Sequence, residues 1–178
     1  MTPARSEIHH RSQRDTDDER WARCGCGMAC LQMILDARGD VVPALAELGR
    51  AAQAYGAYAT EPQPVGYGPL IYAGFVAFVA AEHGLAARVA APLTMGGLIA
   101  SVSGEEVVLA SVSAQIRDLP SVPPRRGGHL VLVFDACEDG GRVGFLDPAG
   151  EPGPVWLERA VFERYFAGRG VAVALARA

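Results

Sequence analysis

The apolar positions change period midway along the chain. Between residues 28 and 37, Leu31, Ile34 and Leu35 recur at helical spacing among small residues, and Gly39 stands where such a helix ends. Residues 42–54 repeat the pattern behind Asp40 and Pro43. Residues 55–68 are rich in Gly, Pro and Tyr and read as a loop. A third helix is predicted over 69–83, with Pro69 in its first turn and Gly84 past its end. Residues 85–90 read as a short strand, and Thr94 as the cap of a short helix through Val102. Then the pattern becomes that of strands. Residues 106–112 are a β-branched run, and 113–126, with three prolines, a loop. Residues 128–136 and 142–147 form two strands joined by Glu138-Asp139-Gly140-Gly141, a hairpin signal. A turn at 152–154, a short helix over 157–166 and a strand over 170–176 complete the chain. Helices first and antiparallel strands second predict one α+β domain over 21–178. Residues 1–20, polar and charge-rich, read as a flexible arm, with a strap across a substrate groove as the functional alternative.

Composition narrows the function. Half of the 178 residues are apolar and a fifth are charged, which suits a globular domain with its own core. The net charge of −4 gives no reason to expect a nucleic-acid partner. The first 20 residues carry no apolar signal segment. The least charged stretch, 62–81, is broken by Pro64, Pro69 and several glycines and is a poor membrane span. A cytoplasmic, reducing setting without a membrane partner is the expectation, and four cysteines in so long a chain do not read as a disulfide framework. Lysine and asparagine are absent. The third member of any Cys–His triad is therefore Asp, Glu or Gln, or is missing.

The chemistry concentrates in three places. Cys24-Gly25-Cys26-Gly27-Met28-Ala29-Cys30 opens the first helical pattern. A helix N-terminus offers unpaired N–H groups and partial positive charge, which favour thiolate, the nucleophilic form. Cys26 registers with the apolar spacing better than Cys24 does. Far downstream, Gly127 and Gly128 precede His129, and the apolar run 130–134 fixes the imidazole on a core strand. Asp147 ends the returning strand, just before Pro148. Taken singly, each has an ordinary reading: Cys30 and Cys137 as small buried side chains, His129 as structural, Asp147 as a turn starter. Taken in order they supply nucleophile, base and orienting carboxylate. A zinc site from Cys24, Cys26, Cys30 and His129 competes with this, although C-x-C-x3-C is unusual spacing for zinc. The triad reading needs no cofactor and no metal.

These segments resemble the bacteriocin-processing cysteine peptidases, the papain-like domains that remove double-glycine leaders. Residues 26–35 (CGMACLQMIL) resemble that family's nucleophile helix, Gly128-His129-Leu130-Val131-Leu132-Val133 its histidine strand, and Phe145-Leu146-Asp147-Pro148-Ala149-Gly150 its aspartate segment. The resemblance spans roughly residues 20–176. It implies a papain-like fold, N-terminal helices on an antiparallel sheet, a Cys26-His129-Asp147 triad, and acyl transfer through a thioester on a peptide or small amide or thioester substrate. One position departs. The family's oxyanion-hole glutamine lies six residues before the nucleophile, where this chain has Arg20. Arg20 offers N–H donors of its own. Gln13 is the only glutamine upstream and needs an extra loop to reach, and the Cys26 backbone N–H can act alone. A lost donor costs roughly 3–4 kcal/mol, so a slow hydrolase, an acyltransferase or amide-forming enzyme, or a non-catalytic peptide-binding relative is the alternative. The stretch from Cys26 to His129 is also longer than in the leader peptidases, and the loop at 55–68 accounts for the excess. Tyr55, Tyr58, Tyr67 and Tyr72 are groove candidates there, against ordinary loop packing. Trp21, Tyr67 and Gly128 are the substrate-contact candidates beside the motifs.

Overall fold

Among the described residues six strands form one antiparallel sheet whose central strands are buried on both faces. The computed structural model describes residues 8–61, 68–120, 122–123, 125–137 and 139–176. The elements run α1 (Glu19–Cys24), α2 (Cys26–Ala37), α3 (Leu45–Gln53), α4 (Tyr72–His83), β1 (Ala87–Ala90), α5 (Met95–Ser103) and β2 (Glu106–Ser113). A 3-10 turn (Ala114–Arg117) leads to β3 (Gly128–Ala136), β4 (Arg142–Leu146), β5 (Val155–Glu158), α6 (Arg159–Tyr165) and β6 (Phe166–Ala174). The sheet order is β1-β6-β2-β3-β4-β5. The last strand thus returns to lie between β1 and β2.

The apolar runs explain the layering. A strand covered on both faces needs apolar side chains at every position, not at alternate ones. In β2, Val107 and Leu109 join the core under α1 to α4, while Val108, Ala110 and Val112 join the core under α5 and α6. In β3, Leu132 and Phe134 take the first side, Val131 and Val133 the second. Helix α2 is the buried member of the helical layer: every residue from Gly27 to Leu35 is enclosed.

Several boundaries differ from the expected ones. Helix α4 starts at Tyr72, leaving Pro69 outside it, and ends at Gly84 in the left-handed region (φ 59°). Helix α3 starts only at Leu45. Thr94 caps α5 as predicted, its Oγ1 accepting from Gly97 N–H at 3.1 Å. The helix expected over 157–166 is a four-residue strand, β5, running into the short α6. β5 pairs with β4 through Gly144↔Trp156, and the Trp156 ring covers Gly144 at 2.8 Å from where a side chain would begin.

The flexible-arm expectation does not hold for residues 8–20. Ile8 is buried, and His9 and Arg11 approach the Asp36 carboxylate of α2 at 3.4 and 3.1 Å. Gln13 N–H donates to Pro148 O at 2.8 Å, and His10 Nε2 lies 2.8 Å from Asp147 O. Polar composition signalled solvent, but here the backbone and imidazole groups find partners on the loop after β4.

Candidate active site

Cys26 is the first residue of α2, and two glycines fit its surroundings together. A side chain at Gly25 would strike Leu45 Cδ2 at 2.7 Å, and one at Gly27 would meet Leu70 Cδ2 at 2.9 Å and Leu130 Cδ1 at 3.4 Å. The helix start can therefore press against the beginning of β3. Cys26 is half-buried and lines a cavity of about 720 Å³ that it shares with His129. Its helical neighbour Cys30 is fully enclosed, and burial, then the nearby Cys26 and Asp147, push its thiol well above the usual range. Burial does the same to the Tyr58 phenol, aided by the three thiols of this region.

His129 enters β3 behind Gly127 and Gly128, whose φ values of 88° and 95° suit only glycine. Strand register then places the carboxylate. Leu132 pairs with Leu146, the last residue of β4, and Asp147 follows it directly. His129 Nε2 lies 2.6 Å from Asp147 Oδ1, with both side chains buried. Nε2 therefore carries the proton shared with the carboxylate, and Nδ1 is left to hydrogen-bond Cys26. Burial opposes charge on this imidazole. The hydrogen bonds to Asp147 and Cys26 and their negative charge outweigh it, and raise its pKa to about 9. For Asp147, burial pushes upward, but the hydrogen bond and charge of His129, the Ala149 N–H and Arg117 win and lower it.

The Asp147 carboxylate is held from three sides. Besides His129 it accepts from Ala149 N–H at 2.9 Å and from Arg117 Nη1 at 3.2 Å. Its carbonyl accepts from Gly150 N–H at 3.0 Å, so the Asp-Pro-Ala-Gly turn and the orienting contact are the same structure. Arg117 escaped the sequence reading. It ends the 3-10 turn before β3, thirty residues from Asp147, and no local pattern links the two.

The remaining candidates divide. Gly128 lines the cavity beside His129. Trp21 does not: it is fully buried, stacked edge-on to Tyr58 with ring centroids 5.0 Å apart and pressed against Gly49. It belongs to the core and is corrected as a substrate contact. Tyr58 is likewise core, Tyr55 hydrogen-bonds Glu82 away from the cavity, and Tyr72 does line it. Tyr67 lies outside the described residues. Arg20 is exposed and absent from the cavity wall. Gln13 is buried, and its Nε2 donates to Ala22 O at 2.8 Å, four residues ahead of Cys26. The extra loop it needs is present as the turn over residues 12–18, tied by Asp15 N–H to Ser12 O and Asp18 N–H to Thr16 Oγ1.

Among the described residues no group of three or more His, Cys, Asp or Glu stands together as a metal site. Cys24 Sγ lies 3.2 Å from Arg20 O, and Cys30 is sealed in the core, so the thiols of the zinc alternative do not converge. All four cysteines are free. No described helix is long and apolar enough to cross a membrane.

Neither a protein-family model nor a curated sequence matches this chain. Solved structures do. A C39-like peptidase from Bacillus anthracis superposes with a TM-score of 0.66 at 12% identity, covering 94% of this chain and 95% of that one. The peptidase domain of Streptococcus ComA, a bifunctional ABC transporter of a quorum-sensing pathway, superposes with a TM-score of 0.62 at 15% identity, covering 94% and 98%. The sheet, the helical layer and the chain order that carry Cys26, His129 and Asp147 are therefore those of the C39-like peptidase fold, the papain-like architecture that the sequence motifs resembled.

Proposed function

We propose that this chain is a cysteine-dependent acyl-transfer enzyme of the peptidase type, with Cys26 as nucleophile, His129 as base and acid, and Asp147 as orienting carboxylate. The reading rests on His129, which shares the wall of an open cavity with the half-buried Cys26 thiol and hydrogen-bonds a buried carboxylate. Nδ1 takes the Cys26 proton, and the sulfur attacks an amide or ester carbonyl. The imidazolium, held by Asp147, returns the proton to the leaving group, and a thioester remains on Cys26. Water or an amine, deprotonated by the same imidazole, then releases the acyl group.

Developing charge on the carbonyl oxygen needs donors. The Cys26 backbone N–H, at the start of α2, is one. For the second we favour Gln13 over Arg20. Neither lines the cavity, but the Gln13 amide is buried, anchored on Ala22 by one hydrogen and has another to give, whereas Arg20 is exposed. The domain runs from residue 21 onward, with residues 8–20 bracing the Asp147 turn. A reducing compartment that keeps the thiols free belongs to the same reading.

The test uses p-nitrophenyl acetate. The protein should release nitrophenolate in a burst and gain one acetyl group at Cys26 by peptide mapping. Cys26→Ala should show neither, and a burst surviving in that variant sinks the assignment.

A further inference from the structure

Three arginines reach the cavity beside Cys26 from separate parts of the chain: Arg23 from α1, Arg125 from the loop before β3, and Arg169 from β6. Among the described residues no Asp or Glu lines that cavity, although the whole chain carries a net charge of −4. Arg23 has Glu19 only at 4.0 Å, with both side chains mostly in solvent. Arg125 and Arg169 have no acidic partner among the described residues. Their positions are built in. A side chain at Gly127 would begin 2.9 Å from Arg169 Nη2, and one at Gly128 would collide with the Arg125 guanidinium. The two glycines just before His129 thus keep room for two permanently charged groups beside the base. Guanidinium forks match carboxylates geometrically and bind them through paired, charge-assisted hydrogen bonds. Two without an acidic partner among the described residues, at the edge of a reactive cleft, are free to seat an anion from outside.

Resting on the nucleophile assignment above, we infer that the substrate presents a carboxylate next to the scissile carbonyl, seated on Arg125 and Arg169. It is an acidic peptide segment, or a peptide whose chain terminus supplies the same group. The leaving group and acyl chemistry are unchanged. The arginines select and orient the substrate, and do not touch the reacting atoms.

The test compares alkylation of Cys26 by iodoacetate, an anion, with that by neutral iodoacetamide, each localised by tandem mass spectrometry and referred to 2-mercaptoethanol. The iodoacetate-to-iodoacetamide ratio at Cys26 should exceed that of the reference thiol by about tenfold or more. In Arg125→Gln/Arg169→Gln it should fall by about tenfold, and Arg125→Lys/Arg169→Lys should restore most of it. A ratio unchanged in the glutamine variant assigns the preference to the imidazolium alone and overturns the inference. Iodoacetamide labelling no faster than the reference thiol and indifferent to His129→Ala means that the nucleophile reading itself has failed, and the inference with it.

A second arm needs no variant. Protection of Cys26 from iodoacetamide is measured with a capped peptide holding two internal glutamates, with its glutamine counterpart, and with that counterpart carrying a free C-terminal carboxylate. Protection by the first at about tenfold lower concentration than the second supports an acidic side chain, and by the third a chain terminus. Equal protection by all three, or by none, contradicts the inference.

Discussion

Replacing Asp147 by Asn keeps the size of the side chain and removes its charge, and the structure says what should follow. The carboxylate accepts from His129 at 2.6 Å, from Ala149 N–H and from Arg117. It is the leading reason that His129 holds its proton up to about 9, against the opposing effect of burial. An opposite charge in contact shifts a neighbour by roughly 1–3 pKa units. The variant's His129 should therefore titrate between about 6 and about 8. At about 1.4 kcal/mol per unit, that is roughly 1.4–4 kcal/mol less stabilisation of the imidazolium. Two further effects push the same way. Arg117 would be left facing the imidazolium without the anion between them, and an Asn amide can favour the wrong tautomer. The assay is an NMR pH titration of the ring protons. The chain has four histidines, and His129→Gln identifies the relevant signal. A midpoint that stays near 9 in Asp147→Asn would mean that Cys26 alone holds the proton and that the carboxylate does not.

Other consequences are separately checkable. Gln13→Ala should slow deacetylation of Cys26 by roughly a hundredfold or more if the amide serves the oxyanion, and leave it unchanged if Gln13 only ties the arm to α1. Trp21→Ala should destabilise the fold by about 3–5 kcal/mol in urea titration, because a fully buried indole is lost from under α3; a normal midpoint with weakened substrate binding would restore Trp21 to the cleft. Stability should also follow the buried pair. His129 is raised when folded, so its contribution is fully present below about 6.5 and disappears as pH rises through about 9. Asp147 is lowered, so its contribution is present above about 3.8 and disappears as pH falls through its folded value. The melting temperature should decline on both flanks, and His129→Gln should flatten the alkaline one.

Periodicity was most legible where one physical demand dominated. The α2 pattern, the Thr94 cap and the hairpin between β3 and β4 each rest on local geometry, and the structure repeats them. The hairpin also explains why Asp147, expected at the end of a strand, falls directly after β4 within reach of His129 at the start of β3, because a hairpin fixes register over short distances. Distance along the chain limited the rest. β5 is four residues long, and only the pairing with β4 makes it a strand. The arm's charged composition hid backbone groups that bond Pro148, 135 positions away in the case of Gln13. Trp21, adjacent to the nucleophile segment in sequence, looked available to substrate. Its helix turns it inward onto Tyr58, a contact that no local pattern announces. Arg117 is invisible for the same reason. Arg125, by contrast, stands four residues before His129, and its charge beside two positive-φ glycines was a signal open to reading.

In the proposed mechanism the Cys26 sulfur and the His129 imidazole act as one unit. The most direct measurement is the rate of iodoacetamide alkylation at Cys26 as a function of pH, in the unaltered protein and in His129→Ala. Near pH 6, where an ordinary thiol is almost inert, the unaltered protein should react at least about tenfold faster than the variant, and the difference should shrink as pH rises toward about 9. Profiles that superimpose across the whole range would contradict that mechanism.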